Sequence, residues 1–238
     1  MNQEDVVAYH ESGHCVAARV LGLEIGNHGC SILEINCDGS PFSGSAAIAF
    51  DNPNHSVQDR LVAVIAGSVA GFRREAILRG DPSEETLGAA CHSTAEGMVP
   101  AVTGEYAGTT LADVDVILDR LAELSGQRHV GADNEKALIA KVIAFSIDGL
   151  EREHISVRVE ADMAANEWYV PLREATDRAV ALVVEHWKIV GTLAARLVEV
   201  KQIHGPQLIA FLDELNCPTP GVEIPWLHHN PFRRNPPQ

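Results

Sequence analysis

The stretch His10-Glu11-Ser12-Gly13-His14 constrains this chain more than any other, because it sets two imidazoles and a carboxylate within one turn of an apolar-faced helix. Residues four apart on a helix share a face, so both rings can aim at a single ion. The Glu between them projects from the same turn and can reach a water beside that ion. Two neutral imidazoles with a nearby carboxylate are what hydrolytic zinc chemistry requires. The surroundings read as helix over 2–23. Asn2 is a candidate N-cap, Glu4 and Asp5 suit the positive end of the dipole, and Val6, Val7, His10, His14, Ala17, Ala18 and Leu21 keep the helical period. The alternative is a pair of ordinary core histidines, but burying these groups without an ion costs several kcal/mol unless all are hydrogen-bonded. Gly13, unfavourable by about 1 kcal/mol in a helix interior, suggests close approach of another backbone or a ligand.

Composition narrows the setting. The chain has 238 residues, 46% apolar, 5% aromatic and a formal net charge of −15, an acidic balance that argues against nucleic acid and anionic membrane surfaces as partners. No apolar run reaches the roughly 18 residues of a membrane span, and the polar, acidic start is unlike a secretion signal. Cys15, Cys30, Cys37, Cys91 and Cys217 form no C-x-x-C pair, and an odd, scattered set suits reduced thiols in a cytoplasmic setting.

After the first helix comes a glycine-marked break at 26–29. Strands are expected over 31–36 and 45–50, with a turn at Asp38-Gly39-Ser40-Pro41. A long helix is predicted over 57–78, Gly67 and Gly71 permitting close packing, stopped by Arg79-Gly80-Asp81-Pro82. Further helices are expected over 83–97, 110–124, 133–153 and 156–168, one long helix over 173–200, and a terminal helix over 202–215 opened by Gly205-Pro206. Six of the twelve prolines fall in the tail from Cys217 onward. His28, His55, His92, His129, His154, His186 and His204 lack a partner at ligand spacing and are read as surface or locally hydrogen-bonded groups.

A catalytic zinc needs a third protein ligand. The extended motif with Gly three and His six residues beyond the second His is absent, since those positions hold Ala17 and Val20. The ligand must come from a carboxylate or His on a later helix. Here the chain resembles the peptidase domain of the FtsH-type ATP-dependent zinc metalloproteases. Val6-Val7-Ala8-Tyr9-His10-Glu11-Ser12-Gly13-His14 matches that family's "vAyHEaGHa" block, and 61–70 is similar to its "iavlLgGraAE" helix. Leu111-Ala112-Asp113-Val114 resembles the segment that gives its third ligand, and 173–211 its closing helices. The resemblance implies His10, His14 and Asp113 as zinc ligands and Glu11 as general base. Asp115 is the rival for the third position, and an acidic first turn complementing a helix dipole is the alternative for both. The chain departs from the family at Cys15, where Ala is usual, and at Gly71, where Glu is usual. The family carries membrane helices and an ATPase upstream; neither is expected to accompany this sequence, in which no G-x-x-x-x-G-K-[S/T] loop occurs.

The expectation is a mainly α (α+β), zincin-like peptidase domain over 1–215, with a small β-hairpin or sheet and a C-terminal helical bundle. It divides into a metal-site half (1–125) and a helical half (130–215), and 216–238 forms a Pro-rich tail. The expected activity is zinc-dependent hydrolysis of polypeptides by a metal-activated water, in a free-standing protein, a homo-oligomer or one working with a separate ATPase. The rival readings are an inactive zinc-binding adaptor and a metal-free helical interaction protein.

Overall fold

Helix α1 (Gln3–Leu21) is enclosed on nearly every side: Val7, Ala8 and every residue from His10 to Ala18 are buried. Small residues make this possible, because Ala8, Ser12, Gly13, Ala17 and Ala18 let neighbouring backbones come close on several faces at once. The computed structural model describes residues 3–37, 40–48, 54–78 and 169–220. The N-cap expected at Asn2 and the helices expected between 83 and 168 lie outside them.

The described residues are mainly helical, with a small antiparallel sheet. Helix α1 ends in a Schellman motif. Gly22, at φ 75°, donates from its N–H to Arg19 O at 3.3 Å, and Leu23 N–H donates to Ala18 O at 2.8 Å. Strands β1 (Ile25–Cys37) and β2 (Ser40–Ile48) then form an antiparallel hairpin, pairing Cys30 with Ala46, Ser31 with Ser45 and Ile32 with Gly44. Two expectations need correction here. The glycine-marked break at 26–29 lies inside β1, as a register shift between Ile25 and Cys30 that Gly29 accommodates at φ 67°. Ser40 and Pro41 belong to β2 rather than to the turn. Proline is tolerated there because β2 is an edge of the described sheet, where a missing N–H need not break a ladder.

Helix α2 (Val57–Leu78) has the predicted bounds, and Leu61–Gly71 is buried without interruption against α1. Its start is capped by Ser56, whose hydroxyl oxygen accepts from Asp59 N–H at 3.0 Å. Arg74 reaches back to Asp5 on α1 at 2.6 Å.

The single helix expected over 173–200 is two helices, α3 (Tyr169–Glu185) and α4 (Trp187–Val200). His186 departs from helical geometry at φ −98°, ψ 18°. This corner sends α3 along α2 and α4 along α1, so each buries its apolar face on a different partner. Arg178 of α3 pairs with Asp59 of α2 at 2.7 Å, and Trp187 at the corner stacks on Tyr9 of α1 with ring centroids 5.0 Å apart. Lys201, at φ 65°, closes α4 by donating its N–H to Leu197 O at 2.8 Å. Gln202–Ile203 forms β3, where the start of the terminal helix was expected, and extends the sheet in the order β2-β1-β3. Helix α5 (Gly205–Glu214) follows, with Pro206 in its first turn and a second Schellman closure: Asn216 N–H donates to Asp213 O and Cys217 N–H to Leu212 O, both at 2.9 Å. Pro220, counted with the tail, packs against Gly22.

His186, expected as a surface or locally hydrogen-bonded group, is buried, which removes the surface alternative. Burial lowers its pKa from the usual 6.5, with Glu185 opposing weakly. The unfolded chain therefore takes up this proton at higher pH than the folded one. Stability is fully present above about pH 6.5 and falls as pH drops toward the lowered folded value. Urea midpoints measured from pH 7.5 to 5 should decline more steeply for the wild type than for His186→Gln. Parallel curves for the two proteins would remove His186 as a source of acid sensitivity.

Candidate metal centre

One turn of α1 carries the chemistry, and two other elements close around it. His10, Glu11 and His14 are all buried, Glu11 with only 2% of its surface exposed. The Nε2 atoms of His10 and His14 stand 3.0 Å apart, with the rings edge-to-face at 83°. The Nδ1 of His14 lies 2.9 Å from the carbonyl oxygen of Ala63 on α2. A carbonyl only accepts, so His14 holds its proton on Nδ1 and turns the Nε2 lone pair toward His10. This is the supporting hydrogen bond that orients metal-binding histidines. Two nitrogens on a tetrahedral zinc at about 2.0–2.1 Å stand roughly 3.3–3.4 Å apart. A small opening of the pair therefore suits a shared cation. Alternatively, an Nε2–H of His10 can donate to His14.

Helix α2 supplies the floor. A Cβ on Gly67 would land on Cε1 and Nε2 of His14, so only hydrogen fits there. A Cβ on Gly13 would lie 2.5 Å from Ala66 O and 2.7 Å from Ala70 Cβ, which accounts for the mid-helix glycine as a point of backbone approach. Gly71 is different, since a Cβ there would meet His10 at an ordinary 3.4 Å. On the other side β2 covers Glu11: a Cβ on Gly44 would collide with its Oε1, Cγ and Cδ. The carboxylate thus lies directly against bare strand backbone. Beside this turn, Cys15 and Cys30 are fully buried. The Cys30 thiol is held well above the usual range, first by its hydrogen bond with Cys15, then by burial and the neighbouring charges of Cys15 and Glu11.

The structure thus brings together His10, His14 and Glu11. Asp113 and its rival Asp115 lie outside the described residues, and among those residues no third His, Cys, Asp or Glu completes a metal-binding group with the pair. The two histidines, the oriented Nε2 and the carboxylate suit zinc as far as they go. Sequence reasoning did not identify Ala63, whose contribution is a backbone carbonyl that leaves no residue signature. It noted Gly67 only for helix packing and did not single out Gly44.

Ser12, in the same turn, has a fully buried Oγ without a hydrogen-bond partner among the described residues. Burying a hydroxyl unsatisfied costs about 1–3 kcal/mol. Ser12→Ala should therefore raise stability by about 1 kcal/mol in a urea titration, and a clear loss of stability would show that the hydroxyl is satisfied.

In comparisons with known proteins, no family model and no curated sequence matches the chain. Among the described residues no helix is long and apolar enough to cross a membrane.

Proposed function

We propose that this chain is a zinc-dependent peptidase whose centre is built on His10, His14 and Glu11, with Asp113 as the third ligand. The observation that carries the reading is the convergence of two buried Nε2 atoms at 3.0 Å, one of them oriented by the Ala63 carbonyl. Bound there, zinc would acidify water to a pKa near 7 and polarise a scissile carbonyl. The carboxylate of Glu11 takes the proton from the attacking water and later passes it to the nitrogen of the leaving amine. Burial of the turn keeps bulk water from competing for these groups. Among the described residues β2 is an edge of the sheet, with Gly44 against Glu11, and an extended polypeptide can add to it as a further strand. The reading includes loose or unfolded polypeptides as substrates and a cytoplasmic setting, with unfolding supplied by a separate ATPase or made unnecessary by the substrate. It also makes the likeness to the FtsH-type peptidase domain one of mechanism.

The test is metal analysis of the purified protein, followed by hydrolysis of an unfolded polypeptide such as casein. Bound zinc is expected, with hydrolysis stopped by a chelator and restored by zinc. Absence of metal from protein purified without chelator, with hydrolysis absent even after zinc addition, would leave the histidines as a hydrogen-bonded core pair. Zinc without hydrolysis would point to an adaptor.

A further inference from the structure

Glycine inside a strand weakens it, because it adds no side chain to the face it occupies. Gly44 is such a residue, opposite Ile32 in the β1–β2 pair. Residues opposite each other in an antiparallel pair share a sheet face, and so do alternate residues along a strand. Ile32 is buried in the core, and Ala46 and Ile48 pack against that core, so the face they share with position 44 is the one turned inward. Ser45, between Gly44 and Ala46, faces the other way and is exposed. Along the inward face of β2 the side chains shrink from Ile48 through Ala46 to none at Gly44. Glu11 fills the gap left there: a Cβ at 44 would fall on its Oε1 and Cγ and lie 2.6 Å from its Cδ. The Ile32 N–H is donated to Lys201 O at 2.8 Å, away from β2, so Ile32 and Gly44 form a non-hydrogen-bonded pair, the kind whose Cα atoms stand closest. Ile32 therefore stands directly beside the gap.

We propose that Gly44 is a positioning residue, its bare backbone the wall that fixes the Glu11 carboxylate for proton transfer. The inference rests on the peptidase reading. A glutamate side chain has three rotatable bonds, and a carboxylate that swings among rotamers spends little of its time where it can meet the attacking water. A wall made of side chains would swing as well, whereas backbone held in a sheet does not. The stiffness comes from β1, which lies between β2 on one side and β3 on the other. A methyl group at 44 forces one of two responses. Either Glu11 turns out of the gap, or β2 lifts and leaves the carboxylate unsupported.

The full chain as wild type, Gly44→Ala, Glu11→Ala and the double variant is first melted without added metal. Gly44→Ala should lower the melting temperature in the wild-type background and leave it unchanged where residue 11 is alanine, because the group it strikes is then gone. Should Gly44→Ala alone not fold, the double variant should still do so. With zinc added, Gly44→Ala should bind it as the wild type does, with KM for casein unchanged and kcat lowered by about 100-fold, the cost of misplacing a reacting group by about 1 Å. Gly26→Ala, which crowds Ala47 O at 3.3 Å in the same hairpin without touching Glu11, should keep its kcat. An equal loss of melting temperature in both backgrounds overturns the proposal, as does failure of both variants to fold. So does full kcat in Gly44→Ala, a rise in KM alone, or loss of zinc together with activity. A wild type that binds no zinc or leaves casein intact overturns the peptidase reading itself, and the role of Gly44 falls with it even where the melting cycle shows the contact.

Discussion

Glu11→Gln is expected to lower peptide hydrolysis by at least about 100-fold, and by as much as 10,000-fold, while zinc stays bound. The substitution keeps the size and shape of the side chain and its contact with the backbone at Gly44, where there is no room for a different group. It removes only the ability to take a proton, because an amide oxygen is not a base at neutral pH. Glu11 is not among the proposed ligands, so metal content should match the wild type. The paired measurement matters. Loss of activity together with loss of zinc would mean that Glu11 organises the site rather than acting on water. Full activity with zinc in place would remove the proposed mechanism.

Much of the candidate metal-site turn was legible because helical spacing alone decides which side chains share a face. His10, Glu11 and His14 needed no tertiary information to be read together, and the bounds of α2 followed from turn residues on either side of an apolar run. The corner at His186 was hidden for a physical reason. Ala179, Leu182, Val183, His186, Val190, Leu193, Ala194 and Leu197 keep one unbroken helical phase across it, with no glycine or proline to mark the bend. What bends the chain there is the choice of partners, α2 before and α1 after, and that choice is not written in local periodicity. Strand β3 escaped notice because two residues carry no pattern. They become a strand only because Lys201 turns the chain back, so that its carbonyl accepts from Ile32 N–H at 2.8 Å. The support for His14 was equally silent, since a carbonyl at position 63 is chemically the same for any residue placed there.

Gly67→Ala should weaken zinc binding, whereas Gly71→Ala, four residues further along the same face of α2, should not. A methyl group at 67 occupies the space of the His14 imidazole at Cε1 and Nε2, the edge proposed to face the metal. Either the ring rotates away and loses the Ala63 carbonyl, or α2 withdraws and opens the crossing at Gly13, Ala66 and Ala70. Both responses move Nε2 from its position beside His10. Loss of such a supporting contact lowers metal affinity by about 10- to 100-fold, and overpacking of this kind costs about 1–3 kcal/mol of stability. At 71 the added methyl meets His10 Cβ and Nδ1 at 3.4 Å, ordinary contact that needs no movement. Helix propensity then favours alanine by up to about 1 kcal/mol, so that variant should melt at or above the wild-type temperature with its zinc retained. Competition for zinc against a chromophoric chelator, run on both variants with melting curves, separates a packing defect from a coordination defect. A general loss of helix packing would lower stability in both. Equal zinc affinity in the two variants would show that the position of His14 does not matter to the metal, and the centre would then have to lie elsewhere in the chain.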